Sequence, residues 1–413
     1  MTRPDLELAD VVRHCGAEFR QTHRLSVEQH RVLRDIAACR TAELGGHLQE
    51  CDGCGHRQIA YNSCRNRHCP KCQASARADW MAARQQELLP VPYFHLVFTL
   101  PHSLGPLALQ NKKMVYGLLF QAAAQTLHKV AADPQHMGAK IGFLSVLHTW
   151  GQNLMHHPHL HIVVPGGGLS PDKSKWIPCR HNRNGNNFFL PVRILSRVFR
   201  GKFIAGLKQA YAQGKLQFHG QLIESQTPEG FEQLLKIAVR KDWVVYAKQP
   251  FGGPEQVLKY LARYTHRVAI SNHRLLRLDD GRVTFRYKDY ANHQQQKAMT
   301  LDASEFLRRF LLHVLPRRFV RIRHYGLLSN RDRTARLIRC RELLSIEQQE
   351  PSTKPVEPEN KDGSSPDDGQ GPKCPECQTG RLIMIDLVAA PPRIHSPHFL
   401  SASTGSIKIT DTS

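Results

Sequence analysis

Hydrophobic and polar positions change period several times along this chain, and each change predicts an element. Residues 24–46 repeat at helical spacing, with Ser26 and Gln29 in capping-box register and Gly45–Gly46 at the end. Residues 47–73 carry little periodicity. A second helix is predicted from Ala74 to Leu88, stopped by Pro90. YFHLVFTLP (93–101), dense in aromatic and β-branched residues, predicts a strand. An amphipathic helix over 104–132 ends at Asp133–Pro134, and IGFLSVLHTW (141–150) and HLHIVVPGG (159–167) predict two further strands. Helices over 193–213 and 228–240, a strand over 242–250 and a short helix from Pro254 to Tyr264 follow. Two alternating runs around Asp279-Asp280-Gly281 predict a hairpin over 274–289. A helix near 303–314 leads into an Arg-rich segment, 317–341. Residues 347–372 have the composition of a linker, and 388–413 read as a disordered tail. No internal repeat is visible.

Composition narrows what such a chain does. At 413 residues and 41% hydrophobic it is long enough for two or three domains with real cores. No apolar run approaches ~18 residues, so no spanning helix is expected. The N-terminus, MTRPDLELADVVRH, has no apolar signal region, which points to the cytoplasm. The formal charge of +22 is uneven: residues 1–340 hold 50 basic and 24 acidic residues, residues 341–413 hold 7 and 11. A body that basic calls for a polyanion, with nucleic acid first. The balance disfavours a membrane protein, a disulfide-stapled secreted domain and a small-molecule enzyme with a neutral surface.

The aperiodic block is HLQECDGCGHRQIAYNSCRNRHCPKC (47–72). Cys51-x2-Cys54 and Cys69-x2-Cys72 are two knuckles at a separation suited to one tetrahedral zinc, their turns helped by Gly53 and Pro70. His47, Cys64 and His68 exceed four ligands; a second ion or hydrogen-bonding support are both open readings. Arg57, Arg65, Arg67, His68 and Lys71 suggest that metal organises a DNA-binding surface, against the plainer reading of a solvated basic loop. Cys374-Pro-Glu-Cys377 is half of a zinc ribbon with no second pair beside it; metal binding and a degenerate remnant both stay open.

HHPHLHIVVPGGG (156–168) puts His159 and His161 two apart on a predicted strand, hence on one face, with Leu160 toward the core. His148, on the preceding strand, is a third candidate ligand, in competition with Gln152, His156 and His157 in the turn. In VLKYLARYTHRV (257–268), Tyr260 and Tyr264 share a helix face at i, i+4, amid Lys259, Arg263, His266 and Arg267. Tyrosine pairs at that spacing commonly pack. Beside cations and a metal-bound phosphate, a phenol becomes a credible nucleophile.

HPHLHIVVPGGG, YLARYTHRVAISNHR, YNSCRNRHCPKC and YFHLVFTLP, in that company, resemble the two-tyrosine HUH transposases of rolling-circle bacterial insertion sequences over residues 10–345. The resemblance implies an α+β fold: a ferredoxin-like palm, an antiparallel sheet backed by helices, behind a small zinc-binding domain. It implies a helical and zinc-binding region over 1–90 and a catalytic region over 91–345; the linker, CPEC half-ribbon and tail over 346–413 lie outside the resemblance. His159 and His161 would hold Mg²⁺ or Mn²⁺, with His148 as third ligand by a spacing similar to conjugative relaxases, and Zn²⁺ would be structural. Tyr260 and Tyr264 would cleave and transfer single-stranded DNA through a 5′-phosphotyrosine link. A bacterial, nucleoid-associated location and DNA as partner follow from the same resemblance. A dimer is compatible with it.

The Arg-rich segment, with Arg317, Arg318, Arg321 and Arg323 at its start, is expected to contact phosphate, as are Arg65, Arg67, Lys71, Lys259, Arg263 and Arg267. Two other readings compete. A replication initiator or relaxase would use the same chemistry. A zinc-dependent DNA-binding regulator on a dead nuclease fold would lack it.

Overall fold

A computed structural model describes residues 4–73, 87–181, 187–248, 256, 268–289, 292, 295–347 and 371–392. In chain order its main elements are α1 (Leu8–Thr22), α2 (Val27–Ala38), β1 (Gly46–Cys51), β2 (Arg57–Tyr61), β3 (Tyr93–Thr99) and α3 (Lys112–Ala132). Then come β4 (Gly142–Trp150), β5 (His156–Pro165), α4 (Val192–Ala212), α5 (Pro228–Val239), β6 (Val245–Lys248), β7 (Leu275–Asp279) and β8 (Arg282–Asp289). β9 (Gln295–Asp302), α6 (Ala303–Leu312), β10 (Ile322–Gly326), α7 (Arg333–Glu347) and β11 (Leu382–Val388) complete it. The chain divides into two compact units, Met1–Cys39 with Cys64–Gly363, and Arg40–Ser63 with Ser364–Ser413.

In the first unit the alternation of β3, β4 and β5 decides the architecture. Phe94, Leu96 and Phe98 of β3, Phe143 and Leu147 of β4, and Leu160, Ile162 and Val164 of β5 are buried in one cluster with Leu119, Phe120 and Leu127 of α3 and Phe199, Phe203 and Leu207 of α4. Each fully buried Phe or Leu contributes about 1.5–3 kcal/mol, so this face fixes the sheet against its helices. Strand order is β6-β3-β5-β4-β10, with every neighbouring pair antiparallel. Taken as β3-α3-β4-β5-α4/α5-β6, this is the βαββαβ ferredoxin-like palm, widened by β10 at the β4 edge.

A second core joins α1 and α2 to the meander β7-β8-β9 and to α6, with Leu33, Ile36, Val283, Phe285, Phe306 and Phe310 inside. The Ser26 cap is present: its hydroxyl accepts from Gln29 N–H at 3.3 Å, and the Gln29 side chain accepts from Ser26 N–H at 2.9 Å. The expected 24–46 helix nevertheless ends at Ala38, because Cys39 turns extended. An N-terminal helix, α1, precedes it, opened by a reciprocal cap between Glu7 and Asp10. The expected 104–132 helix is broken at Asn111, whose amide leaves the helix to pair both ways with the Gln217 backbone at 2.8 Å. Residues 74–86 of the predicted 74–88 helix lie outside the described residues, while Glu87 and Leu88 are not helical; the short helix reaching Tyr264 also lies outside them, apart from Gln256.

The second unit contains the antiparallel sheet β11-β1-β2. Residues 47–61, which looked aperiodic, thus form a hairpin, paired on its other side by a strand from the C-terminal segment.

Candidate functional site

The face of the palm opposite the helices is set by register. His148 pairs with His159 across β4 and β5, and Val97 pairs with His161 across β3 and β5. Side chains alternate, so His148, His159 and His161 rise from the same face, while Leu160 points into the core at 0% exposure. Their three ligand nitrogens lie within 4.8 Å of one another. Ring centroids are 4.8 Å apart for His159–His161, 4.5 Å for His148–His161 and 5.6 Å for His148–His159. His148 is buried and stacks on Trp150 at 4.6 Å.

Hydrogen bonds turn these imidazoles toward one point. His159 Nδ1 is 2.7 Å from the His157 carbonyl, which only accepts, so the proton sits on Nδ1 and Nε2 offers a lone pair. His161 Nδ1 is 2.8 Å from Nε2 of His95, and its own Nε2 faces His159 Nε2 at 3.1 Å. In the tautomer where His161 Nδ1 donates to His95, the two Nε2 lone pairs face one another, an arrangement that a shared cation satisfies. Two nitrogens each about 2.1 Å from one ion at right angles are about 3.0 Å apart, so the spacing fits a shared divalent ion. The donor to the backbone and the partner on the far nitrogen are the usual supports of metal-bound histidine.

The competing turn residues separate. His156 lies on the opposite face of β5, with Nε2 2.7 Å from the buried Tyr116 hydroxyl. Its pKa is pushed down to about 3 by burial and nearby His313 and Lys112. His157 keeps the site face, with its ring 5.2 Å from His159, and burial lowers its pKa. Gln152 receives the Arg274 guanidinium on its backbone oxygen. His95, which sequence reasoning missed, is buried on β3, diagonal to His161. Its odd position in YFHLVFTLP, out of phase with Phe94, Leu96 and Phe98, was the available signal. Tyr260, Tyr264, Lys259, Arg263 and Arg267 lie outside the described residues. The described strand that precedes them in sequence is β6, where Lys248 pairs with His95.

The cysteines do not group as their spacing suggests. Cys69 and Cys72 converge with Cys39 and Cys64, and Cys51 and Cys54 converge with Cys374 and Cys377. The expectation of one ion on both knuckles is therefore corrected to two quartets, one in each unit. The physical reason is that Cys51 and Cys54 sit at the end of the β1 hairpin, while Cys39 ends α2 and enters the second core with Cys69 and Cys72. In the first quartet Cys72 Sγ is 3.6 Å from Cys39 Sγ and 3.5 Å from Cys64 Sγ. Thiol hydrogen bonds from Cys39, Cys64 and Cys69 lower the pKa of the Cys72 thiol. His68 and His47 stay outside both quartets: His68 Nε2 is 3.5 Å from the Leu315 amide, and His47 belongs to the β1 strand.

The basic residues also divide. Lys71 forms a buried ion pair with Glu7 at 2.8 Å. Arg67 donates to the carbonyls of Phe319 and Pro316 at 2.5 and 2.9 Å. Arg321, 9% exposed, donates to Gln73 at 2.7 Å, and burial brings its pKa down to about 10. Arg323 lies 4.1 Å over the Phe120 ring. The phosphate role expected of Lys71 and Arg321 is not available to groups so buried and engaged; they tie the first unit together. Arg65, Arg317 and Arg318 are exposed, and with Arg31, Arg67 and His68 they line an open cleft of about 470 Å³ beside Cys64. Among the described residues no helix is long and apolar enough to cross a membrane.

A ferredoxin-like palm with three imidazoles grouped as metal ligands are, a cysteine quartet in each unit and a cleft lined by arginines mark a protein equipped for metal and for an anionic polymer. Comparison with known proteins agrees and is more specific. Residues 142–336 match a family model described as a putative transposase, and residues 11–100 match a transposase zinc-binding domain. The putative transposase y4qJ of Sinorhizobium fredii (strain NBRC 101917 / NGR234) is 52% identical over 398 residues, 95% of this chain and 99% of that protein. The transposase for insertion sequence element IS801 of Pseudomonas savastanoi pv. phaseolicola is 28% identical over 324 residues, 77% of this chain and 74% of that one. The chain belongs to this transposase family. The matched zinc-binding domain and the grouped cysteines support Zn²⁺ as a metal of this chain. A solved conjugative relaxase TrwC in complex with oriT DNA covers 42% of this chain and 70% of its own at 14% identity and a TM-score of 0.23, too low to bear on activity.

Proposed function

We propose that this chain is a rolling-circle transposase of the two-tyrosine HUH kind, cutting and rejoining single-stranded DNA at the ends of its element. The convergence of His148, His159 and His161 carries the reading, since a family of DNA-moving enzymes has no evident need for such a site unless phosphate is handled there. A divalent ion held by these imidazoles would supply electrophilic polarisation of a phosphate. Of Mg²⁺ and Mn²⁺, an all-nitrogen donor set favours Mn²⁺, because Mg²⁺ prefers oxygen.

The chain's own residues do the rest. Tyr260 or Tyr264 attacks phosphorus: the Tyr Oη–P bond forms, the P–O3′ bond breaks, the phenol proton departs and O3′ is protonated. The product is a 5′-phosphotyrosine with a free 3′-OH, and it retains the phosphodiester energy for rejoining. A second tyrosine lets another strand be cut while the first is held. Lys259, Arg263 and Arg267 flank the tyrosines in sequence and would lower the cost of ionising a phenol. Arg65, Arg317 and Arg318 would grip backbone phosphates along the cleft, with Arg67 shaping it from within. Cys39, Cys64, Cys69 and Cys72 would hold the zinc that fixes the Arg65–His68 loop.

The direct test is nicking of labelled single-stranded oligonucleotides carrying the element's ends, with Mn²⁺ or Mg²⁺, in the wild type and in His159→Ala/His161→Ala. Metal-dependent nicking in the wild type alone is expected. Nicking by the double histidine variant at wild-type rate would overturn the reading. A protein that binds these strands and never cuts them would instead be a regulator.

A further inference from the structure

The quartet in the second unit draws half its thiols from Cys374 and Cys377, beyond both matched spans, 11–100 and 142–336. Its two halves are built alike. Cys51 N–H donates to the His56 carbonyl at 2.9 Å, and Cys374 N–H donates to the Gly380 carbonyl at 2.8 Å. Gly55 N–H returns to the Cys51 carbonyl at 3.0 Å, and Gln378 N–H returns to the Cys374 carbonyl at 3.1 Å. The residue after each second cysteine is left-handed, Gly55 at φ 73° and Gln378 at φ 60°. Backbone amides point at sulfur in both: Gly53 and Cys54 N–H onto Cys51 Sγ at 3.4 and 3.5 Å, Gly380 N–H onto Cys377 Sγ at 3.2 Å. Such amide donors stabilise thiolates.

The sulfurs meet crosswise, Cys51 with Cys377 and Cys54 with Cys374, each pair at 3.7 Å. A tetrahedral ion with metal–sulfur bonds of about 2.3 Å sets its ligands about 3.8 Å apart. The surroundings give a second, independent reason for an ion. Among the described residues, the buried apolar cluster of this unit is Cys51, Cys374 and Leu382, with Cys377 half-buried against it. On β11 Ile383, Met384, Ile385 and Leu387 are all exposed. A three-stranded sheet with that little core does not hold itself together in water, and small units of this kind rely on a metal.

We propose that Cys51, Cys54, Cys374 and Cys377 bind a second structural Zn²⁺, which clasps the C-terminal segment 371–392 onto the β1–β2 hairpin. The ion takes the place of a hydrophobic core, so the C-terminal strand is ordered by zinc and by residues more than 300 positions away. The inference stands apart from the strand-cleavage reading and does not depend on it. Gly380 belongs to the clasp: a Cβ there would lie 2.5 Å from Cys51 Sγ and 2.9 Å from the Gly53 amide nitrogen.

The experiment counts zinc in the purified full-length chain by elemental analysis. Two ions per chain are expected, falling to one in Cys374→Ser/Cys377→Ser and to one in Cys51→Ser/Cys54→Ser. Combining all four substitutions should still leave one, and Cys39→Ser/Cys64→Ser should lose the other ion. A second measurement keeps every ligand native. With a protease site inserted in the linker between 348 and 370, the cut C-terminal fragment should co-elute with the rest of the chain. It should separate on adding 1,10-phenanthroline, also in the Cys39→Ser/Cys64→Ser background. Two ions retained in Cys374→Ser/Cys377→Ser, or a cut fragment that separates while zinc is present, would overturn the proposal.

Discussion

Replacing His95 by Phe removes the partner of His161 while keeping a ring of similar shape on β3. In the structure His95 Nε2 is 2.8 Å from His161 Nδ1 and the two rings stack at 5.1 Å. His95 is 4% exposed, so water cannot readily replace the lost acceptor. A buried donor left without a partner costs about 1–3 kcal/mol, and losing an outer support of a metal-bound histidine weakens metal binding about 10–100-fold. The two magnitudes agree, since tenfold is about 1.4 kcal/mol. Mn²⁺ affinity measured by electron paramagnetic resonance on zinc-loaded His95→Phe should therefore fall by about 10–100-fold. His95→Gln, which can accept from Nδ1 through its amide oxygen, should recover most of that loss. Nicking should show a raised Mn²⁺ requirement with a near-normal rate at saturating metal, because His95 positions a ligand and does not touch DNA. An unchanged Mn²⁺ affinity in His95→Phe, or an equal loss in His95→Gln, would refute the reasoning.

Three further outcomes are expected. His156 and His313 are buried neutral with pKa values pushed down to about 3, chiefly by burial. The unfolded chain therefore binds more protons between pH 6.5 and 3, and stability present above pH 6.5 should be lost as pH falls through that window, by about 1.4 kcal/mol per unit for each group. Denaturant titrations of His313→Asn should show a shallower loss with falling pH than the wild type; an identical slope would contradict it. Gly326→Ala should destabilise more than Gly214→Ala, since both are left-handed but only at Gly326 would a Cβ meet backbone, 1.9 Å from the Ile141 carbonyl; equal shifts in denaturation midpoint would count against the β4–β10 packing. Arg317→Ala/Arg318→Ala should lower the slope of log K against log salt by about one per lost contact, whereas Arg321→Met should lower the melting temperature and leave that slope alone.

The strands of the palm were legible in their residue types. The strands over 93–101 and 159–167 were expected from their aromatic and β-branched content, and the His159-Leu160-His161 triplet put two imidazoles on one face; the palm came with the family resemblance, and the register then delivers His148. His95 was equally written in the alternation of 93–99 and was passed over because it stood alone on its strand. The cysteine grouping was not legible. Local spacing favours pairing Cys51–Cys54 with Cys69–Cys72, while the fold pairs each knuckle with thiols set by a helix end or by the far end of the chain. Lys71 and Arg321 were misjudged for a related reason: charge along a sequence does not say which cation is buried and taken up by a partner inside the fold, here Glu7 and Gln73. The third strand of the meander, QQKAMTLD, was hidden by its polarity, since it pairs with β8 through backbone hydrogen bonds.

The central claim is covalent cleavage of single-stranded DNA by Tyr260 and Tyr264 with a metal held by the three histidines. Incubating the zinc-loaded protein and Mn²⁺ with a 3′-labelled single strand bearing the element's end, then resolving under denaturing conditions, measures it directly. The account predicts a labelled protein band for the wild type, a band surviving in at least one single Tyr→Phe variant, and none in Tyr260→Phe/Tyr264→Phe. A labelled adduct that persists in the double variant, or a wild type that never forms one while nicking the strand, would contradict it.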